Sequence, residues 1–171
     1  MNKIIINRMY EPMSDKDLKK YNPDVKILLY PDIYHYNNID SLFGNTNKII
    51  ILYLTSSFNN GHWTCLLRKY DNIYFFDSYG LNADDEQKYV KNMYIKEETG
   101  ENYKYLRWLL HNSHYNIVEN KIKLQGPDTY TCGRYCSLRL INSNLSNDEF
   151  IRKYFMNTKK TPDYIVSELI E

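Results

Sequence analysis

The chain has 171 residues, the size of one folded domain, and we expect a single domain over residues 1–171. Hydrophobic residues make up 43% of the sequence and aromatic residues 15%, which excludes a disordered protein. With 22 basic and 21 acidic residues the net charge is +1, so the charge gives no indication of nucleic-acid binding.

The first part of the chain predicts one helix and two strands. Helix-start residues precede an amphipathic stretch that Asn22-Pro23 stops, and Pro31 ends the next apolar segment. A short, nearly continuous apolar run is typical of a strand inside a sheet. The expected elements are a helix at residues 14–21, a strand at 25–30, a loop at 37–47 and an interior strand at 48–54.

Residues 61–70 and 73–79 are aromatic and aliphatic runs that predict an antiparallel hairpin. Asp71-Asn72 lies between them and is a good turn pair. The two runs therefore place their side chains on two adjacent strands, with alternate residues on alternate faces.

The remaining sequence predicts mainly helices. Ser146 and Glu149 form a capping-box pattern, and Thr161-Pro162 is a helix-start signal. The expected elements are helices at residues 84–94, 101–111 and 132–142, a strand at 116–124, and two further helices that begin near residues 146 and 161. Together these elements indicate an α+β fold, a small and mostly antiparallel sheet with packed helices.

Cys132 is the strongest candidate for a nucleophile. It follows a turn-rich loop and lies in the first turn of a predicted helix, where free N–H groups and the helix dipole stabilise a thiolate. Gly133 keeps the neighbouring position free of a side chain, where a substrate carbonyl would lie. Cys65 and Cys136 are better explained as buried packing residues, since too few cysteines are present for a disulfide framework.

His62 and Asp77 are candidates for the base and its partner. Asp77 lies on a predicted strand that otherwise reads as buried, and a buried carboxylate needs a partner. Strand parity allows both side chains to lie on one face. A tight turn at Asp71-Asn72 would leave them about 13 Å apart along the strands. A longer loop or a bulge is therefore expected.

Gln125 ends the predicted strand seven residues before Cys132. Its amide N–H could donate to a developing oxyanion, together with the backbone N–H of Cys132. An isolated glutamine at a strand end would ordinarily be a solvated residue. The functional interpretation of Gln125 rests on its short spacing from the candidate nucleophile, Cys132.

These residues carry a resemblance to a known group of enzymes. The string from Gln125 to Gly133, with His62-Trp63 and Phe76-Asp77 before it, is similar to the adenovirus maturation protease, adenain, and to the clan that includes the ubiquitin-like-protein proteases. The resemblance runs from about residue 48 to residue 140. The chain order of His, acid, Gln and Cys also agrees with that papain-like clan.

The resemblance implies a cysteine endopeptidase that processes capsid or other structural proteins during virion maturation. It implies Cys132 as nucleophile, His62 as base, Asp77 as its partner and Gln125 in the oxyanion hole. Trp63 and Gly133 would bound a slot that admits glycine beside the cut, although Trp63 could equally anchor the sheet. A virophage, polinton-like or giant virus is the expected source, and virion and host cytoplasm the expected location.

Two departures from the adenovirus pattern leave activation open. The acid is Asp77 where the adenovirus enzymes have Glu, and the cysteine that tethers their activating peptide has no counterpart. Activation by a peptide or by DNA is therefore undecided. No cofactor, metal or membrane partner is expected.

Three other interpretations compete with this one. A zinc site is disfavoured because His62 and Cys65 would face opposite sides of a strand, while Cys132 and Cys136 lack a Cys-x₂-Cys spacing. An inactive capsid-binding module would not need all four polar residues. A deubiquitinase or deSUMOylase acting on host proteins shares the whole chemistry and stays open.

Overall fold

A computed structural model of the protein describes residues 2–57, 60–85 and 104–171. The described helices are α1 (Lys3–Arg8), α2 (Asp15–Tyr21), a 3-10 helix (Tyr30–His35), α3 (Ile39–Phe43), α4 (Tyr105–His111), α5 (Cys132–Ile141), α6 (Asn147–Phe155) and α7 (Pro162–Leu169). The described strands are β1 (Lys26–Leu29), β2 (Lys48–Ser57), β3 (Asn60–Lys69), β4 (Asn72–Phe76) and β5 (Asn116–Glu119).

The strands form one sheet in the order β1-β2-β3-β4-β5. The β2–β3 and β3–β4 pairs are antiparallel, whereas β1–β2 and β4–β5 are parallel. The α+β class is confirmed, and the sheet is evenly mixed where the sequence suggested a mostly antiparallel one. Both parallel pairs involve an edge strand, whose connection to its neighbour includes α3 in one case and α4 in the other.

β2 is buried on both faces, which explains its continuous apolar sequence. Ile50, Leu52 and Leu54 belong to the core that contains residues of α5, α6 and α7. Ile51 and Tyr53, which alternate with them, belong to a second core formed with the 3-10 helix, α3 and α4. The prediction of an interior strand here is confirmed.

Three predicted helix starts are confirmed by a side-chain cap. Ser14, Ser146 and Thr161 are the N-cap residues of α2, α6 and α7, and each side chain accepts a hydrogen bond from a backbone N–H of the first turn. The caps satisfy donors that a helix cannot satisfy internally. Helix α5 begins at Cys132, as predicted.

Several boundaries differ from the prediction. The expected loop at 37–47 is wrong, because Asn38 caps α3 and the helix buries Leu42 and Phe43. α1 was not expected, and β5 ends at Glu119, five residues early. The expected helix at 84–94 lies outside the described residues apart from residues 84 and 85. Among the described helices, none has the length and apolar character needed to cross a membrane.

Candidate active site

The hairpin between β3 and β4 turns at Tyr70 and Asp71, one residue earlier than the sequence predicted. Lys69 and Asn72, the residues on either side of this two-residue turn, pair with each other. Tyr70 adopts a left-handed φ of 52°. Moving the turn by one residue shifts the register by two, so that His62 lies across from Tyr79. The expected longer loop or bulge is therefore wrong, since a tight turn brings the two strand ends into position.

His62 and Asp77 are in direct contact in this register. The Nε2–H of His62 donates to Asp77 Oδ1 at 2.7 Å, because a carboxylate can only accept. The His62 ring also stacks on Tyr79, with centroids 4.7 Å apart and an interplanar angle of 22°. The expected proximity of the histidine and the acid is confirmed, and the stacked tyrosine was not anticipated.

Asp77 is fully buried at the point where β4 has just ended. Its backbone N–H donates to Asn120 Oδ1 at 2.8 Å, and its carbonyl accepts from Asn120 Nδ2 at 2.7 Å. The Tyr79 N–H donates to Asp77 Oδ1 at 2.8 Å. The Asn120 side chain thus continues the β4–β5 pairing by one residue and holds the carboxylate against the imidazole.

Cys132 lies beside the His62 ring at the first position of α5, with 8% of its surface exposed. Burial lowers the pKa of His62, but hydrogen bonds to Asp77 and to the Cys132 side chain outweigh it and raise this pKa well above its usual 6.5. The imidazole is therefore favoured in its protonated form. His62 thus contacts both Asp77 and Cys132.

The other two cysteines lie deeper. Cys65 and Cys136 are each 1% exposed and belong to the core between the sheet and α5. Burial, followed by a hydrogen bond with Cys65, raises the pKa of the Cys136 thiol well above its usual range. Their environment is that of packing residues. Among the described residues, no group of three histidine, cysteine or acidic side chains is arranged to hold a metal.

Gln125 is buried and held at both ends of its amide. Its Oε1 accepts from the Ser78 hydroxyl at 2.7 Å, and its Nε2 donates to the Thr129 carbonyl at 2.8 Å. Because the Thr129 carbonyl can only accept a hydrogen bond, the Gln125 atom that faces it must be Nε2, and this fixes the orientation of the Gln125 amide. The Ser78 carbonyl also accepts the N–H groups of Leu124 and Gln125. Gln125 is thereby connected to Asp77 through the adjacent Ser78, and to Cys132 through the loop at residues 126–131.

Trp63 and Gly133 pack against Met13, which lies just before α2. The Trp63 Nε1–H donates to the Met13 carbonyl at 3.2 Å. A Cβ at Gly133 would lie 3.0 Å from Met13 Cβ and 3.3 Å from Trp63 Cδ1, so close packing already requires glycine there. The packing accounts for both residues, and their contact with substrate stays a prediction.

Besides Tyr79, the sequence analysis missed four residues that build this site. Ser78 was read only as the end of a strand, Asn120 as part of one, Asp163 as a helix start, and Thr131 as a loop residue. Ser78 directly follows Asp77, and this adjacency was the single available signal. Asp77 lies 43 residues from its partner Asn120, and the partners of Asp163 lie 28 to 37 residues from it in sequence, beyond the reach of local patterns.

No protein-family model matches the chain. The sequence is 36% identical over 157 residues, covering 88% of each chain, to the uncharacterized protein V9 of Sputnik virophage. The structure is similar to the ASFV pS273R protease, with a TM-score of 0.49, 15% identity and coverage of 95% of this chain and 69% of that one. It is also similar to the C-terminal Ulp1 protease domain in complex with Smt3, the yeast ortholog of SUMO, with a TM-score of 0.33, 17% identity and coverage of 99% and 75%.

Proposed function

The chain belongs to the same family as protein V9 of Sputnik virophage, and we propose that it is a cysteine endopeptidase with Cys132 as its nucleophile. The observation that carries the proposal is the His62 ring, which is bonded to Asp77 on one side and to Cys132 on the other. A nucleophile, a base and a group that orients the base are the three parts of nucleophilic acyl transfer.

The chemistry follows from this arrangement. The Nε2 atom of His62 is hydrogen-bonded to Asp77. The other nitrogen of the ring therefore accepts the proton of the Cys132 thiol and holds it. The thiolate attacks the scissile carbonyl, and its electron pair moves onto the carbonyl oxygen. When the oxyanion collapses, the C–N bond breaks and His62 transfers its proton to the leaving amine. Water, deprotonated by His62, then attacks the acyl-enzyme and releases the second product with the thiolate.

We assign the oxyanion to two donors, one at the start of α5 and one in the segment before it. One is the N–H of Cys132, which lies in the first turn of the helix and has no intrahelical partner. The other is the second Nε2–H of Gln125, since its first is used by the Thr129 carbonyl. Donors fixed in place before the reaction stabilise an oxyanion at little reorganisation cost.

Cleavage beside glycine is supported by the narrow access to the sulfur. Cys132 is only 8% exposed, and Trp63, which packs close to Gly133, is only 7% exposed. A substrate residue that reaches this sulfur must be small, and glycine is the smallest. Trp63 would then form a wall of the slot in addition to its packing role.

The biological substrates we propose are capsid or other structural proteins, cut in the virion or in the host cytoplasm during particle maturation. The virophage relative supports a viral setting. The test incubates the purified protein, and its Cys132→Ala variant, with the structural proteins of the encoding virus, and maps new termini by mass spectrometry. New termini beside glycine that the variant does not produce are expected. Their absence from every structural protein would refute this substrate assignment.

A parallel assay distinguishes a ubiquitin-like-protein protease. It compares glycine-containing peptides from capsid junctions with fluorogenic conjugates of ubiquitin and SUMO at equal concentration. Turnover of a folded conjugate about a hundredfold faster than of any peptide, equivalent to about 2.7 kcal/mol, would overturn the maturation role and leave the peptidase chemistry in place.

A further inference from the structure

We propose that Asp163, a residue of α7, is a positioning residue that holds the loop at residues 126–131, and with it the oxyanion donors, in the geometry needed for catalysis. The inference rests on the proposed function for its catalytic consequence. It assigns to helix α7 a part in a site whose other members come from β3, from α5 and from the segments that follow β4 and β5.

Asp163 is unusual for an acidic residue in the first turn of a helix. Such residues normally lie in solvent and interact with the helix dipole, whereas Asp163 is 5% exposed. A carboxylate this deeply buried must be compensated by hydrogen bonds or it costs considerable stability. The hydrogen-bond partners of Asp163 therefore indicate which part of the structure its carboxylate holds in place.

The carboxylate accepts hydrogen bonds from both ends of the loop. Asp163 Oδ2 accepts from the N–H of Gly126 at 2.8 Å, and Oδ1 accepts from the Thr131 hydroxyl at 2.6 Å and from the Tyr135 hydroxyl at 3.2 Å. Gly126 directly follows Gln125, and Thr131 directly precedes Cys132. One side chain thus fixes the residue next to each proposed oxyanion donor.

The glycine at position 126 is explained by this contact. A Cβ on Gly126 would lie 3.0 Å from Asp163 Oδ2, tighter than nearly all contacts of real Cβ atoms. A side chain would push the carboxylate and the loop apart. The Gln-Gly pair in the sequence therefore reflects a close approach of Asp163 to the backbone.

The Thr131 side chain does not cap α5, although Thr131 is the residue positioned to do so. It is the N-cap residue of α5, where a threonine hydroxyl ordinarily accepts from a backbone N–H of the first turn, yet its side chain makes no capping bond. Its hydroxyl donates to Asp163 instead. Asp163 thereby holds the residue directly before Cys132 by its hydroxyl group, and the Thr131 side chain makes no bond to the first turn of α5.

The test compares Asp163→Asn with Ser167→Ala. Asparagine keeps the size of the side chain, but its amide group cannot accept from the second of the two loop ends. Ser167 is a matched control on the same helix, because it is fully buried and its hydroxyl has no hydrogen-bond partner among the described residues. For each variant, kcat and KM on a peptide, the rate of Cys132 alkylation by iodoacetamide, and hydrogen exchange over residues 124–132 are measured.

We expect Asp163→Asn to lower kcat by about tenfold to a hundredfold, with KM changed by less than about threefold. Alkylation forms no oxyanion, so its rate should stay within about threefold of the wild type. Exchange at residues 126–131 should rise. Ser167→Ala should leave all four measurements close to wild type. A purely structural role would instead lower turnover and alkylation together.

The outcomes separate this inference from the proposed function. Wild-type kcat and wild-type exchange in Asp163→Asn would overturn the inference and leave the peptidase assignment standing. A wild-type protein that cleaves no peptide would overturn the peptidase assignment, and the exchange data alone would then decide whether Asp163 holds the loop. If Asp163→Asn does not fold, Thr131→Val, which removes one donor and keeps the shape, takes its place with the same expected pattern.

Discussion

Asn120 binds both the N–H and the carbonyl of Asp77, at 2.8 Å and 2.7 Å, immediately beyond the last residue of β4. The acid that orients His62 is therefore fixed by its backbone as well as by its carboxylate. Backbone restraint of this kind limits the positions that the imidazole can adopt, and it can be removed without changing any of the proposed catalytic side chains.

Replacing Asn120 by alanine tests this restraint. The substitution leaves two buried backbone groups of Asp77 without partners, so we expect a loss of about 2–4 kcal/mol in the free energy of unfolding. We also expect kcat to fall by at least about tenfold because His62 loses its fixed partner. Urea unfolding and peptide turnover measure the two effects. Asn116→Ala, an exposed position on the neighbouring strand, is the control, and equal behaviour of the two variants would contradict the restraint.

The three cysteines should respond differently to the same substitution. Cys132→Ala should abolish turnover, by at least about a thousandfold, with little effect on stability. Cys136→Ala should keep the chemistry but lower the free energy of unfolding by about 1–2 kcal/mol, since it leaves a small cavity in the core. Iodoacetamide should label Cys132 first. Faster labelling of Cys136 or Cys65 at neutral pH would show that the nucleophile is assigned to the wrong residue.

The raised pKa of His62 predicts a pH dependence of stability with a defined sign. Because this pKa is higher in the folded than in the unfolded protein, the folded state binds more protons above the unfolded value of about 6.5. The His62 contribution is complete below that pH and is lost as the pH rises through the folded-state pKa. The free energy of unfolding should therefore fall as the pH rises from about 6.5 through the folded-state pKa of His62.

Urea unfolding across pH 6 to 10 measures this effect. His62→Gln should flatten the fall, whereas His114→Gln, at an exposed position, should retain it. A profile that is unchanged by His62→Gln would mean that another group titrates.

Ser78 is predicted to act through Gln125. Ser78→Ala removes the donor to Gln125 Oε1 and frees the amide to rotate, so we expect kcat to decrease by about tenfold while KM is nearly unchanged. Ser137→Ala is the matched control, because this serine is equally buried and its hydroxyl has no hydrogen-bond partner among the described residues. A similar kcat for both serine variants would remove Ser78 from the positioning of the amide.

Much of the local structure was predictable from the sequence. Helix starts at Ser14, Ser146 and Thr161 follow from capping, which involves residues only a few positions apart. The interior strand β2 follows from its continuous apolar run, and the position of Cys132 at the start of α5 follows from the turn-rich loop before it. These features depend on short-range chemistry, which is visible in the order of the residues.

Only the tertiary structure determined the register of β3 against β4 and the residues that hold the site in place. One residue of difference in the β3–β4 turn determines whether His62 reaches Asp77, and turn chemistry predicted Asp71-Asn72 where the turn is at Tyr70-Asp71. The bond from Asp77 to Asn120 spans 43 residues, and the bond from Gly126 to Asp163 spans 37. Such contacts form only when separate elements pack around one core, so the residue types were present in the sequence while their pairing was not.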